Sequence, residues 1–346
     1  MADLEKSKKK KEKLNEDGTV KEKFSVRFKR FWDTKTMPKR WAAAKVKLRK
    51  DAFIYLLLLF PMALHIIFRY FPMYGIQIVF KDFIFKAGIT GSPWADPFFK
   101  WFEKIAIDPD FIRAIRNTIV ISVGKLVFGF PAPIILALLL NELGAQWYKK
   151  TIQSILYLPH FLSWVIISGL MFNLLSENGL LNNVLENVFN LPKVYILGES
   201  KYFLTMIFAS DIWRNAGWGT IIYLAAIAGV GPELYESARI DGANRFQQIL
   251  YITLPTIKPT IVILLILNCS SILDAGMDQI LNLMSVRTIE VGDIIDTFIY
   301  RNSIGNANMP LFEYTTAIGF AKSIVNLIML LSVNKIAKWL GEDGVL

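Results

Sequence analysis

Six stretches of the chain stay apolar over the length of a bilayer-crossing helix, and polar segments part them. A hydrocarbon core of about 30 Å takes about 20 residues of helix. The stretches are Ala52 to Met73, Ala114 to Leu140, Ile152 to Leu175, Phe203 to Val230, Thr260 to about Leu283, and about Thr315 to Leu340. The pattern predicts an all-α membrane protein with about six transmembrane helices, a transmembrane domain over 51–346 and a tail over 1–50. Pro61, His65 and Arg69 interrupt the first stretch, Lys125 and the Pro131/Pro133 pair the second. The fourth has a polar middle.

Between the fourth and fifth stretches lies a segment, about 231–256, that is polar and mixed in charge. It reads as a helix, a glycine break at Gly242, a second helix, and a closing Leu254-Pro255. Glu236 and Ala238 fall on the first of these helices. Glu236 is three residues from Arg239, a spacing that permits a local pair worth about 0.2–0.5 kcal/mol.

Composition sharpens the picture. Of 346 residues 53% are hydrophobic and only 20% charged, a balance foreign to a soluble domain of this length. The net charge of +10 is a property of the tail. Residues 1–50 hold 18 Lys/Arg against 7 Asp/Glu, and the remainder is close to neutral. Lys8 to Lys13, Lys21, Lys23, Arg27 to Arg30 and Lys39-Arg40 are interleaved with Phe24, Phe28, Phe31, Trp32 and Trp41. Just ahead of an apolar span, that pattern points to membrane lipids, as an interfacial amphipathic element, and not to nucleic acid. One cysteine, Cys269, excludes an internal disulfide. No cleavable leader is expected, because the first apolar run begins after fifty mostly polar residues.

Basic residues orient the set. The tail, Lys149-Lys150, the loop with Arg239, Arg245 and Lys258, and Lys335 and Lys338 fall on one side, so both termini and the 231–256 segment are expected in the cytoplasm. The segments Tyr74–Asp110, Glu177–Lys201 and Ser285–Phe312 would lie outside. No phosphate-binding G-x4-G-K-[ST] loop is present. The two histidines, His65 and His160, give no metal spacing, so no metal site is expected. The reading is of a non-catalytic chain that binds no cofactor itself.

The spacing E-x-A-x3-G-x9-I-x-L-P from Glu236 to Pro255 resembles the "EAA" loop of the membrane subunits of binding-protein-dependent ABC importers. Ser237 stands where that motif usually has a second alanine. The run from Ser210 through Asp211-Ile212-Trp213-Arg214-Asn215-Ala216-Gly217-Trp218-Gly219 to Leu234-Tyr235-Glu236 is similar to carbohydrate importer permeases of the LplB type. It is more distantly similar to the larger maltose permease subunit. The resemblance covers roughly 50–340. It implies a type I importer permease fold in a bacterial plasma membrane, a second homologous permease subunit, and a cytoplasmic ABC ATPase dimer that binds ATP and Mg. It also implies an extracellular solute-binding lipoprotein and a sugar or oligosaccharide substrate. Glu236, Ser237, Ala238, Asp241 and Gly242 would then form the helix that docks on the ATPase.

Ionisable residues inside a bilayer are costly and default to function. Asp211, Arg214, Asn215 and Trp218 share a face of the fourth span. Ser271, Asp274, Asp278 and Asn282, three, four and four residues apart, would share a face of the fifth. An aromatic ring beside amides and carboxylates suits a sugar, so these two faces are expected to line the substrate pathway. Internal pairing of Asp211 with Arg214 is the structural reading of the same residues. His160, Trp164, Asn173, Lys322 and Asn326 are weaker candidates, and Lys322 needs a carboxylate or carbonyl partner. Two alternatives stay open: an ion-coupled secondary transporter, with Asp274 and Asp278 as coupling groups, and an ABC permease for a non-sugar solute.

Overall fold

The computed structural model describes residues 46–47, 50–305 and 310–339; the basic tail, with the interfacial element expected there, lies outside them. Two compact units divide the chain, Met1–Tyr74 and Gly75–Leu346. Most of the first span falls in the first unit; the other spans and the cavity belong to the second.

Among the described residues the secondary structure is helical, apart from an isolated bridge between Lys81 and Trp94. We label the longer helices α1 (Ala52–Phe80), α2 (Lys100–Ile107), α3 (Pro109–Asn141), α4 (Gln146–Tyr157), α5 (Trp164–Leu175), α6 (Leu180–Asn187), α7 (Ser200–Ala228), α8 (Pro232–Ile240), α9 (Arg245–Ser270), α10 (Met277–Leu283), α11 (Ile295–Asn302) and α12 (Phe312–Trp339). Among the described residues, five segments are long and apolar enough to cross a membrane: α1, α3, Trp164–Asn187, α9 and α12. At 29 residues α7 is long enough too, but Asp211 and Arg214 lower its hydropathy. That polarity matches its place, since α7 packs on α3, α4 and α9 and buries Phe203, Met206, Ile207, Ala216, Thr220 and Tyr223.

Three of the long helices solve a proline problem in the same way. A helical proline donates no hydrogen bond, and its ring clashes with the carbonyl four residues back. Wide turns over Ile66–Tyr70, Lys125–Gly129 and Ile249–Thr253 each end two residues before a proline, namely Pro72, Pro131 and Pro255. Each closes with a bond reaching five residues back, such as Phe130 N–H to the Lys125 carbonyl at 3.2 Å. The widened turn relieves the clash and keeps the helix going. Pro255 therefore does not end its helix, contrary to the sequence expectation: α9 runs through it to Ser270.

Two expected spans are broken. Ile152 to Leu175 is not one helix: α4 ends at Tyr157, a tight turn covers Leu158–Phe161, and α5 starts at Trp164 with Ser163 as its N-cap. Pro159 is the cause, because it disfavours helix at the residue before it. The stretch Thr260 to Leu283 is broken as well. α9 stops at Ser270, and α10 begins after Gly276, whose φ of 92° is left-handed. Ser271, Asp274, Asp278 and Asn282 consequently do not share one helical face.

Close approach is tightest between α7 and α4. A Cβ on Gly217 would lie 2.0 Å from the Leu156 carbonyl oxygen, and backbone cannot yield as a side-chain tip can. Gly217→Ala is expected to cost about 3 kcal/mol. A thermal-shift assay in detergent would read this as a clear loss of melting temperature, whereas an unchanged midpoint would contradict the contact.

Candidate functional site: a polar cavity at two broken helices

A cavity of about 520 Å³ opens along α7 between two apolar clusters, one around Ile121, Phe203, Ile207 and Ile280, the other around Ala137, Tyr223, Ile227 and Ile257. Its walls come from α3 (Lys125, Gly129, Pro133), α5 (Trp164), α7 (Asp211, Asn215, Tyr223), α9 (Leu264, Asn268) and the loop Ser271, Ile272, Asp274, Gly276. Of the eight expected pathway residues, Asp211, Asn215, Ser271 and Asp274 line it. Arg214, Trp218, Asp278 and Asn282 are not among its lining residues.

Each helix break leaves a backbone carbonyl outside any helix, and in a bilayer such a group must find an internal partner. Two cations supply it. Lys125 Nζ donates to the Ala275 carbonyl at 2.9 Å, inside the α9–α10 loop. Arg214 Nε donates to the Leu162 carbonyl at 3.2 Å, in the α4–α5 break, and its guanidinium lies 5.0 Å from the Trp164 ring. The cations that mend the broken spans are thus the ones beside the cavity.

A continuous hydrogen-bond chain joins them. Buried Gln279 donates to the Ile207 carbonyl (2.8 Å) and Ser210 Oγ (2.9 Å), and accepts from Lys125 Nζ (2.5 Å). Lys125 pairs with Asp211 Oδ1 at 3.3 Å. Asn215 Nδ2 donates to the same oxygen at 3.2 Å, while Asn215 Oδ1 accepts from Arg214 at 3.2 Å and faces His160 Nδ1 at 3.3 Å. With the amide fixed this way, a hydrogen bond here calls for the His160 proton on Nδ1; the ring stacks on Trp218 at 4.7 Å. Asp211 is therefore paired with Lys125, and no Asp211–Arg214 ion pair forms among the described residues. Periodicity within a single span carried no signal for Lys125 or Gln279.

Gly276 is bound to its residue type twice over. Its backbone is left-handed, and a Cβ there would lie 2.8 Å from Lys125 Nζ. The same loop is held from its other side by Lys322 of α12, which meets Asp274 Oδ1 at 2.5 Å and Asp296 Oδ1 at 2.6 Å. This supplies the carboxylate partners that Lys322 required.

The second expected site is a separate element. α8 starts with Pro232 and ends in a left-handed Gly242 (φ 81°). Ala243 N–H closes its end on the Ala238 carbonyl at 2.8 Å, and Asn244 and Gln247 then form a capping box that starts α9. This is the helix–glycine–helix expected from sequence. Tyr235 Oη lies 2.9 Å from Thr253 Oγ1, which pins α8 to α9. Glu236 and Ser237 are exposed, and the Glu236–Arg239 pair allowed by spacing is not formed. Ala238, Asp241 and Gly242 border a hollow of about 240 Å³, beside the exposed side chains of Ile240, Phe246 and Tyr251.

Comparison with known proteins agrees with this architecture. Residues 129–341 match the family described as the binding-protein-dependent transport system inner membrane component. The polygalacturonan/rhamnogalacturonan transport system permease protein YteP of Bacillus subtilis is 41% identical over 300 residues, covering 87% of this chain and 92% of that protein. Protein LplB of the same organism is 39% identical over 306 residues, 88% of this chain and 93% of its own length. A chain in the crystal structure of a bacterial alginate ABC transporter, in complex with an alginate pentasaccharide-bound periplasmic protein, superposes with a TM-score of 0.78. It is 39% identical, and the match covers 86% of this chain and 98% of that one. The chain is a multi-pass membrane protein and belongs to the family of binding-protein-dependent transport system inner membrane components, the permeases of ABC importers.

Proposed function

We propose that this permease moves an oligosaccharide, delivered by an extracellular solute-binding protein, through a path that includes the cavity along α7. The observation that carries the reading is the cavity's make-up. Carboxylate, amide and hydroxyl groups (Asp211, Asn215, Asn268, Ser271, Asp274) stand beside the rings of Trp164 and Tyr223. Sugars present hydroxyl rims and apolar C–H faces, and such a wall answers both. The names of the relatives, which transport polygalacturonan, rhamnogalacturonan and alginate, make an acidic oligosaccharide the first probe to use.

Transport on this reading needs three further parts: a second homologous permease to complete the pathway, a cytoplasmic ATPase dimer that binds ATP and Mg, and the binding protein. α8 with Gly242 is the docking element for the ATPase. Glu236, Ser237 and Asp241 present polar groups to it, and Ala238 and Gly242 keep the surface low enough to enter a cleft. α8 and both termini then lie in the cytoplasm.

The test is uptake of labelled oligogalacturonides into proteoliposomes holding the chain with a second permease, an ABC ATPase and a solute-binding protein from the same organism. Uptake should require ATP and the binding protein. Uptake driven by an ion gradient without ATP would contradict the reading.

A further inference from the structure

We propose that Lys322 is a positioning residue of the substrate pathway: it orients the Asp274 carboxylate so that the acid's second oxygen accepts a hydroxyl of the passing sugar. The proposal rests on the oligosaccharide-import reading above. Lys322 is not among the cavity's lining residues, whereas Asp274 is. The Lys322 side chain is only 12% exposed, against 54% for Asp274 and 22% for Asp296.

Three features give the contact this meaning. Asp296, in the first turn of α11, already gives the Lys322 ammonium a charge partner, so the bond to Asp274 is not needed to bury the lysine. Asp274 lies in the break between α9 and α10, where no helix fixes its side chain; its N–H is tied to the Ser271 carbonyl at 2.8 Å. An ammonium has three donors, so it can hold both carboxylates at once. With Oδ1 committed to Lys322, the rotation of the Asp274 carboxylate is set. A carboxylate accepting from a hydroxyl makes a charge-assisted bond, about twice as strong as a neutral one. Asp296 keeps Lys322 in place while Asp274 is engaged by sugar. The pathway wall is thereby oriented from outside the cavity, through two helices that do not themselves face it.

The experiment uses the assembled transporter in proteoliposomes and reads oligogalacturonide uptake, ATP hydrolysis stimulated by loaded binding protein, and their ratio. Asp274→Asn should lower sugars moved per ATP roughly tenfold, the scale of a lost hydrogen bond to a charged group, whatever the change in stimulated hydrolysis itself. Lys322→Met should reproduce that defect, and Lys322→Arg should restore most of the ratio. The double variant Lys322→Met/Asp274→Asn should be no worse than either single one. Should Lys322→Met fail to assemble, Lys322→Met/Asp296→Asn removes the cation and one carboxylate together and carries the same expectation. If Asp274→Asn lowers the ratio while the Lys322 variants leave it unchanged, or if the two defects multiply, the positioning role is overturned. If Asp274→Asn has no effect, or the wild type moves no oligogalacturonide, the underlying reading of the pathway or of its substrate fails instead.

Discussion

Glu236→Lys is expected to abolish ATP-driven uptake while the protein reaches the membrane at wild-type levels. The side chain is exposed on α8 and makes no ion pair among the described residues, so within the chain the change should stay inside about 0.5 kcal/mol, as for ordinary surface substitutions. α8 itself is held by contacts that the substitution does not touch, among them the Tyr235–Thr253 hydroxyl pair and the Ala243–Ala238 closing bond. On the proposed docking role, its effect arises instead at the face α8 offers to the ATPase. Losing one partner of a buried charge pair across an interface costs about 2–5 kcal/mol, a reversed charge no less, and each 1.4 kcal/mol is about tenfold. Uptake should fall by roughly thirtyfold or more, and ATP hydrolysis should no longer respond to loaded binding protein. Wild-type uptake at equal membrane levels would sink the docking assignment of α8.

The second large effect lies at the cavity. Lys125→Met strips Asp211 of its cation and leaves the Ala275 carbonyl and Gln279 Oε1 without their donor. Removing one partner of a buried pair typically costs 3–5 kcal/mol. Lys125 and Asp211 keep 17% and 19% of their side-chain surface, so about 3 kcal/mol is expected. The variant should melt markedly lower in detergent and yield little assembled complex. Lys125→Met/Asp211→Leu removes both charges and should recover part of the melting temperature, but, on the proposed pathway, not sugar uptake, since of the cavity's two carboxylates only Asp274 is left. A single variant as stable as the wild type would mean that Lys125 does not secure the α9–α10 loop.

What the sequence disclosed and what it hid follow from distance along the chain. α3, α7 and α12 are runs whose apolarity is local, and their extents are close to those read from sequence. α8 with Gly242 was legible for a similar reason: Glu236, Ala238 and Gly242 sit within seven residues, and a left-handed glycine after a short helix is a local event. The two helix breaks were not, because Pro159 and Gly276 are embedded in apolar runs, and the groups that make a break tolerable lie far away. Lys125 is 150 residues from Ala275 and Arg214 is 52 from Leu162. Helical spacing from Ser271 to Asn282 assumed continuity through Gly276; once the helix stops, Ser271 and Asp274 remain at the cavity while Asp278 and Asn282 do not. Gln279, uncharged and isolated in sequence, gave no hint that it joins Lys125 to α7.

Whether α8 is the element through which a separate ATPase moves this permease is read from a crosslink. With Cys269 replaced by serine, a cysteine at position 238 in the assembled complex should form a crosslink with the ATP-hydrolysing subunit, and the yield should change when ATP is added. Should position 238 crosslink only to the second permease or to nothing, while a cysteine on the opposite end of the spans captures the ATPase, the account is wrong.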